Sequence, residues 1–271
     1  MKHAKTLLLA LFSRRWWWVT LLVMVLMIGL ARLGVWQLDR LAERREANAA
    51  LTEALNAPAI ILNDELEELM VYQPEESPKS LANRNAVVTG EFDFDHQIVL
   101  RLQPWQGRTG YRLVTPLVID QSSDNGERIA ILVDHGWIPQ DAYNSDYRIY
   151  EETDGVGSVE GYIALTETLM RQASGLPEIT DSGIEVYRVD LAVIQPVVPY
   201  QLMPVFLREN PRPNEEGDSL PVRIPREIDL SEGPHLGYAI QWFIFSLGLG
   251  IGYILFVNYS LDKKNTGDPS G

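Results

Sequence analysis

Four histidines and no cysteine set the limits on the chemistry available to this chain. The histidine in the most informative surroundings is His235, in the stretch Pro234-His235-Leu236-Gly237-Tyr238-Ala239-Ile240-Gln241-Trp242-Phe243. It stands directly before Leu236–Leu261, a run of 26 residues without a charge. A helix needs about 20 apolar residues to cross a bilayer, so the imidazole falls at the polar lip of a span. On a helix His235, Tyr238, Ala239, Trp242 and Ser246 share one face. That face joins a ring nitrogen to two large aromatic rings and small residues, and it can reach a ligand at the membrane edge. The bland alternatives are an interfacial belt of Tyr and Trp and a solvated histidine before a helix.

The other constellations are weaker. Asp93, Asp95 and His96 carry oxygen and nitrogen donors within four positions and read either as a metal site or as a polar turn between strands. His135 follows Asp134 at a strand end, and either titrates with that carboxylate or is a hydrogen-bonded histidine. His3 sits in a basic N-terminal tail. The lack of cysteine excludes disulfides, thiolate zinc sites and cysteine catalysis. The chain has no Gly-rich phosphate loop, nucleophile elbow or paired catalytic histidines, so no enzyme is expected.

Two spans must position these groups. The first, 16–38, opens with Trp16-Trp17-Trp18 behind Arg14 and Arg15, and only Arg32 and Gln37 interrupt it. It outlasts the 7–15 apolar residues of a secretory leader and ends in bulky Leu33-Gly34-Val35-Trp36-Gln37-Leu38, so a retained anchor is expected. The second span is 236–259. Residues 39–236 carry 16 Lys+Arg against 35 Asp+Glu, whereas the rest of the chain holds 7 basic and 2 acidic residues. Basic flanks stay on the cytoplasmic side. This places a basic tail (1–15) and a short C-terminal tail (260–271) inside, and an acidic domain (39–235) outside, in a plasma membrane. Such an acidic surface repels nucleic acid.

Within the domain, Asp39–Asn56 reads as a helix continuing the first span until Pro58. Glu65–Tyr72 and Leu191–Val197 are short helical candidates. Strands are expected at Ala86–Phe92, Gln97–Leu102, Tyr111–Ile119, Ile129–Val133, Gly157–Ala164 and Met203–Leu207, with turns such as Asp124-Asn125-Gly126 and a polar, Pro-rich loop at 210–217. The expected fold is two transmembrane helices flanking a β-rich (α+β) antiparallel extracytoplasmic domain, closed or partly closed. Gly248 and Gly252 form a small-xxx-small pair in the second span, suited to packing on the first span or on a client helix.

Five ordered blocks carry a resemblance. Gly34-Val35-Trp36-Gln37-Leu38-Asp39-Arg40 resembles the exit of the first span in the surfeit locus protein 1 family. Gly90-Glu91-Phe92-Asp93, Gly110-Tyr111-Arg112-Leu113-Val114-Thr115-Pro116-Leu117 and Val133-Asp134-His135-Gly136-Trp137-Ile138-Pro139 are similar to its successive strands. His235-Leu236-Gly237-Tyr238-Ala239 with Gln241-Trp242-Phe243 resembles the start of its second span. The chain departs from the family in two places. It has His135-Gly136-Trp137 where Arg-Gly-Trp is usual, and Gly233-Pro234 where asparagines often stand, which removes side-chain amides able to orient His235.

The resemblance implies an assembly factor for haem-copper cytochrome c oxidase that binds haem a transiently and aids its insertion into the catalytic subunit. It implies His235 as the iron ligand, with Tyr238 and Trp242 against the porphyrin. Its implied partners are cytochrome c oxidase subunit I, haem a synthase and the lipid membrane. Arg32, Arg40, Arg223 and Arg226 lie near the span boundaries in sequence, as partners for propionates or as headgroup contacts. Two other readings stay open: a scaffold for the nascent oxidase subunit without haem, and an unrelated two-span receptor-like protein.

Overall fold

The structure is a computed structural model and describes residues 9–73, 76–122, 126–146, 156–167, 177–180, 183–212 and 219–266. His3, Asp124, Asn125 and most of the 210–217 loop lie outside the described residues. The chain divides into two compact units, one formed by Met1–Ala50 with Asp229–Gly271 and one by Leu51–Ile228.

The first unit is a helical hairpin. Helix α1 (Trp17–Asn56) runs unbroken through the apolar segment into the polar, Ala- and Glu-rich stretch beyond it, as the helix-forming residues there dictate. It ends where Pro58 restricts the preceding residue, with the Asn56 amide donating to the Thr52 carbonyl at 2.9 Å. The second long helix, His235–Thr266, starts just after Gly233 (φ +68°) and Pro234, whose carbonyl accepts the Tyr238 N–H at 3.1 Å. Both helices are long and apolar enough to cross a membrane, which is compatible with a two-span protein.

Close approach holds the two helices together. A Cβ on Gly34 would lie 2.8 Å from the Phe243 ring, and one on Gly250 would lie 2.7 Å from the Met27 methyl. Ser246 donates to the Met27 carbonyl (2.9 Å), Thr20 and Tyr253 share a 2.6 Å hydroxyl bond, and Trp16 meets Phe256 edge-on at 5.7 Å. Gly248 and Gly252 take no part: a Cβ on either meets nothing within 4 Å. The expected small-residue pair therefore faces away from the first span. Above the apolar part, Arg44 pairs with Asp229 and Arg45 with Glu232, each at 2.8 Å. These exposed pairs contribute little to stability.

The second unit is built on a closed barrel. Its strands are β1 (Ile60–Ile61), β2 (Asn85–Phe92), β3 (Ile98–Trp105), β4 (Arg108–Ser122), β5 (Arg128–Pro139), β6 (Val156–Leu165), β7 (Glu178–Thr180), β8 (Gly183–Val186) and β9 (Gln201–Glu209). They follow the order β1-β2-β6-β9-β5-β4-β3-β8-β7, and an added β2–β4 pairing closes β2, β6, β9, β5 and β4 on themselves. Closure removes edges that would otherwise pair with other chains. Short helices α2 (Leu66–Leu69), α3 (Gln140–Asp146) and α4 (Leu191–Ile194) complete the unit; the C-terminal helix of the hairpin is α5.

Alternation along β5 and β9 separates two layers. Ile129, Ile131 and Val133, with Met203, Val205 and Leu207, fill the barrel beside Val88, Phe92 and Leu117. Ala130, Leu132, Leu202 and Phe206 point the other way and pack under α4 and β8. The expectation of an antiparallel sheet is corrected in three places: β1–β2, β3–β8 and β5–β9 are parallel. The last brings together strands more than sixty residues apart, with a crossover through β6–β8 and α4 that permits parallel pairing.

Candidate functional site

His235 is the first residue of α5, and its ring is half-buried. Its Nδ1 lies 2.9 Å from Oε1 of Gln37, which stands on α1 at the same level of the hairpin. A carbonyl oxygen only accepts, so Nδ1 carries the proton and donates. With Nδ1 turned to Gln37, Nε2 is the ring nitrogen left for another partner. The ring is oriented by a side-chain amide after all, supplied from the other helix and not from the residues preceding it. Gly233 lies against the ring as well: a Cβ there would sit 3.4 Å from the imidazole Cδ2.

The rest of the expected helical face divides. Ala239 and Ser246 are buried and turn into the hairpin, whereas Tyr238 is 48% exposed. Trp242 lies between, its ring edge-on to Phe245 at 6.1 Å. Tyr238 and Trp242 therefore offer aromatic surface beside the helix seam, near an imidazole whose free nitrogen suits a metal of borderline softness. Among the described residues no group of three His, Asp or Glu side chains is placed to hold a metal ion.

The arginines near the span boundaries go to different tasks. Arg223 is buried and pairs with Glu209 at 2.9 Å. Arg226 donates to Asn85 Oδ1 (2.7 Å) and to the Asn83 carbonyl (2.8 Å), and stacks 4.2 Å over the Tyr162 ring. Both belong to the barrel unit, where these partners engage them. Arg40 pairs with Glu43 one turn along α1 at 2.7 Å. Arg32 is exposed on α1.

His96 and His135 have structural partners. Asp93 caps the turn after β2 by accepting from the Asp95 N–H at 3.0 Å, and its other oxygen takes His96 Nδ1 at 3.1 Å and the Tyr200 hydroxyl. Burial opposes ionisation of Asp93, yet the hydrogen bonds from Tyr200 and His96 bring its carboxyl below the usual range. Burial and the same carboxylate push the Tyr200 hydroxyl well up. This is the polar-turn reading: the donors are spent on one another and on joining the β2–β3 turn to β9.

His135 continues the interior column of β5 past Val133, and Glu209 continues that of β9 past Leu207. His135 Nδ1 donates to Glu209 at 3.0 Å, and its ring packs on Phe92 with centroids 5.0 Å apart. Burial works against the Glu209 charge, but the bond from His135 and the Arg223 guanidinium bring its carboxyl down to about 2. Arg212 adds a 2.8 Å contact to the same carboxylate. His135 is thus the hydrogen-bonded histidine of the two readings, and Asp134, the neighbouring carboxylate of the other reading, faces the opposite layer and takes Arg112 in a two-pronged pair at 3.0 and 2.7 Å.

A β-barrel unit and a hairpin of two apolar helices, with a hydrogen-bonded histidine at the start of the second helix, make an architecture compatible with a two-span membrane protein. Residues 24–247 match the model of the SURF1 family, so the chain belongs to that family, the surfeit locus protein 1 family that the sequence blocks resemble. It is similar to a SURF1-like protein of Rickettsia bellii, 27% identical over 250 residues, which cover 90% of each chain. A SURF1-like protein of Mycobacterium tuberculosis (strain H37Rv) is 24% identical over 234 residues, covering 86% of this chain and 80% of the relative. One of Rickettsia prowazekii is 23% identical over 243 residues, covering 88% and 89%. Membership sets aside the reading of an unrelated receptor.

Proposed function

We propose that this protein is an assembly factor for haem-copper cytochrome c oxidase that binds haem a transiently at His235 and aids its insertion into subunit I. The observation that carries the reading is the Gln37–His235 hydrogen bond at the head of the two apolar helices, in a chain of the SURF1 family. When bound, haem a would supply an iron centre able to take a nitrogen ligand, which His235 would provide. Everything else falls to the chain's own residues. Gln37, hydrogen-bonded to Nδ1, orients the ring and leaves Nε2 for the ligand, as partners of metal-bound histidines do elsewhere. Tyr238 and Trp242 offer ring faces, and the lipid-facing helices suit a hydrophobic tail.

A single imidazole ligand in a half-open position favours release over permanent retention. Handover of a preformed cofactor makes and breaks no covalent bond, so the protein is not an enzyme on this account. Its partners are subunit I, haem a synthase and the plasma membrane, with both termini cytoplasmic and the barrel outside. A second reading, a scaffold for the nascent subunit without haem, draws on Gly248 and Gly252, whose open faces admit another helix.

A deletion strain tests both. Loss of haem a in the oxidase, restored by the intact gene and not by His235→Ala, is the expected result. Restoration by His235→Ala but not by Gly248→Leu with Gly252→Leu supports the scaffold instead. Normal haem a incorporation in the deletion strain, with no paralogue present, refutes the proposal.

A further inference from the structure

The segment that leads into His235 lies on the surface of the hairpin unit, with residues 229–234 all exposed. Polar side chains of α1 hold it there. Arg44 donates through Nε to the Ser231 carbonyl (3.0 Å), and through Nη2 to the carboxylate (2.8 Å) and the carbonyl (3.3 Å) of Asp229. Arg45 meets Glu232 with two nitrogens, at 2.8 and 2.9 Å. Asn48, one turn beyond Arg44, donates to the Leu230 carbonyl at 2.7 Å and to that of Ser231 at 3.3 Å. The segment ends at Gly233 (φ +68°), where a Cβ would sit 3.4 Å from Cδ2 and 3.6 Å from Nε2 of His235. Its backbone thus runs beside the ring nitrogen that Gln37 leaves for another partner.

We infer that Arg44, Arg45 and Asn48 are positioning residues for His235. They fasten 229–233 as a strap whose Gly233 end borders Nε2, so that a fastened strap slows a ligand entering or leaving that nitrogen and a loosened one lets it pass. On the reading of His235 as the haem a ligand, on which this rests, the cargo so governed is haem a. Three features suit a strap that opens and closes. Both ion pairs are exposed, with more than a third of each of the four side chains accessible, so water and salt compete for them. The hydrogen bonds to the carbonyls of Asp229, Leu230 and Ser231 fix where the strap seats on α1, which ion pairs alone do not. Gly233 takes a left-handed φ at no steric cost and keeps a side chain away from the nitrogen. Cargo that is to be passed on must leave Nε2 as well as reach it, and a strap of this kind opens without unwinding either helix.

The chain has no cysteine, so Asn48→Cys with Leu230→Cys creates a unique thiol pair between α1 and the strap. In the full chain in detergent micelles the pair is bridged by ethanediyl bismethanethiosulfonate, whose disulfide links dithiothreitol removes. One readout is carbethoxylation of His235 by diethyl pyrocarbonate, followed by mass spectrometry with His96 as internal reference. The other is transfer of bound haem a to apomyoglobin. Bridging should slow both severalfold, and reduction should restore both. Arg44→Gln combined with Arg45→Gln should speed both by about tenfold, the factor that two exposed ion pairs imply, at an unchanged thermal midpoint. Arg44→Lys combined with Arg45→Lys should return part of the slow rate. Raising the salt from about 0.01 M to 1 M should speed both in the intact protein and leave the double glutamine variant unmoved. Equal carbethoxylation rates in the bridged and reduced protein overturn the inference, and so do equal rates in the intact protein and the double glutamine variant. If haem a does not bind while carbethoxylation follows the bridge, the strap stands and the haem reading falls.

Discussion

Replacing Glu209 by glutamine keeps the shape of the buried side chain at the barrel end and removes its charge. Glu209 faces His135, Arg223 and Arg212, and its carboxyl is held at about 2 against an ordinary value of 4.5. At 1.36 kcal/mol per unit, that depression corresponds to about 3 kcal/mol of stability above pH 5. The direction follows from the lowered value: the contribution is present above the unfolded-state pKa and is lost as pH falls from about 4.5 towards 2. By pH 3 about 2 kcal/mol of it has gone. Urea unfolding of the full chain in micelles, followed by the methyl signals of Ile131, Val133 and Leu207, reads the barrel specifically. At pH 6 the glutamine variant should be less stable by about 3 kcal/mol, since Arg223 keeps a buried charge without its counter-ion. Between pH 6 and pH 3 the intact protein should lose about 2 kcal/mol more than the variant. The difference between the two profiles isolates Glu209 from other carboxylates such as Asp93. Identical pH slopes for the two proteins refute the reasoning.

Other outcomes follow from close approaches and from the histidine's support. Gly136 has φ +126°, and a Cβ there would collide with the Val222 carbonyl that pairs with Trp137. Gly136→Ala should therefore destabilise the barrel by about 1–3 kcal/mol in the same urea assay. Gly34→Leu should lower the thermal midpoint of the detergent-solubilised protein by driving a side chain into Phe243, whereas Gly248→Leu should leave it unchanged. Gln37→Leu keeps α1 helical but removes the acceptor of His235 Nδ1; haem a affinity should fall about 10–100-fold with membrane insertion intact.

The parts legible in the sequence are those with local causes. The charge-free run after His235 and the apolar run between Trp16 and Leu38, broken by Arg32, announced both long helices, and β-rich segments between turn residues located six strands, of which β5 runs six residues beyond the expected end at Val133. Pairing was not legible. The parallel β5–β9 ladder joins Ile129 to Gln201 and depends on a crossover that no local pattern encodes. The two-residue β1 and the short β7 and β8 are below the length at which alternation gives a signal. At the candidate site, helical spacing grouped Tyr238 with Ala239, which adjacent positions on a helix cannot keep equally buried. Gln37 was visible as a polar interruption of the first span, but only the folded hairpin brings it 2.9 Å from a histidine 198 residues away. Arg223 and Arg226 were grouped by sequence distance to the span, a measure that says nothing of their partners Glu209 and Asn85, which only the folded barrel brings to them.

The central claim is that His235 is the iron ligand, and the most direct test is titration of the purified full-length protein and its His235→Ala variant with haem a. The account predicts stoichiometric binding with a histidine-ligated Soret spectrum for the intact protein. For the variant it predicts loss of that spectrum, or greatly weakened binding, while the variant remains inserted and folded. An unchanged stoichiometry and an unchanged Soret spectrum in His235→Ala would contradict it.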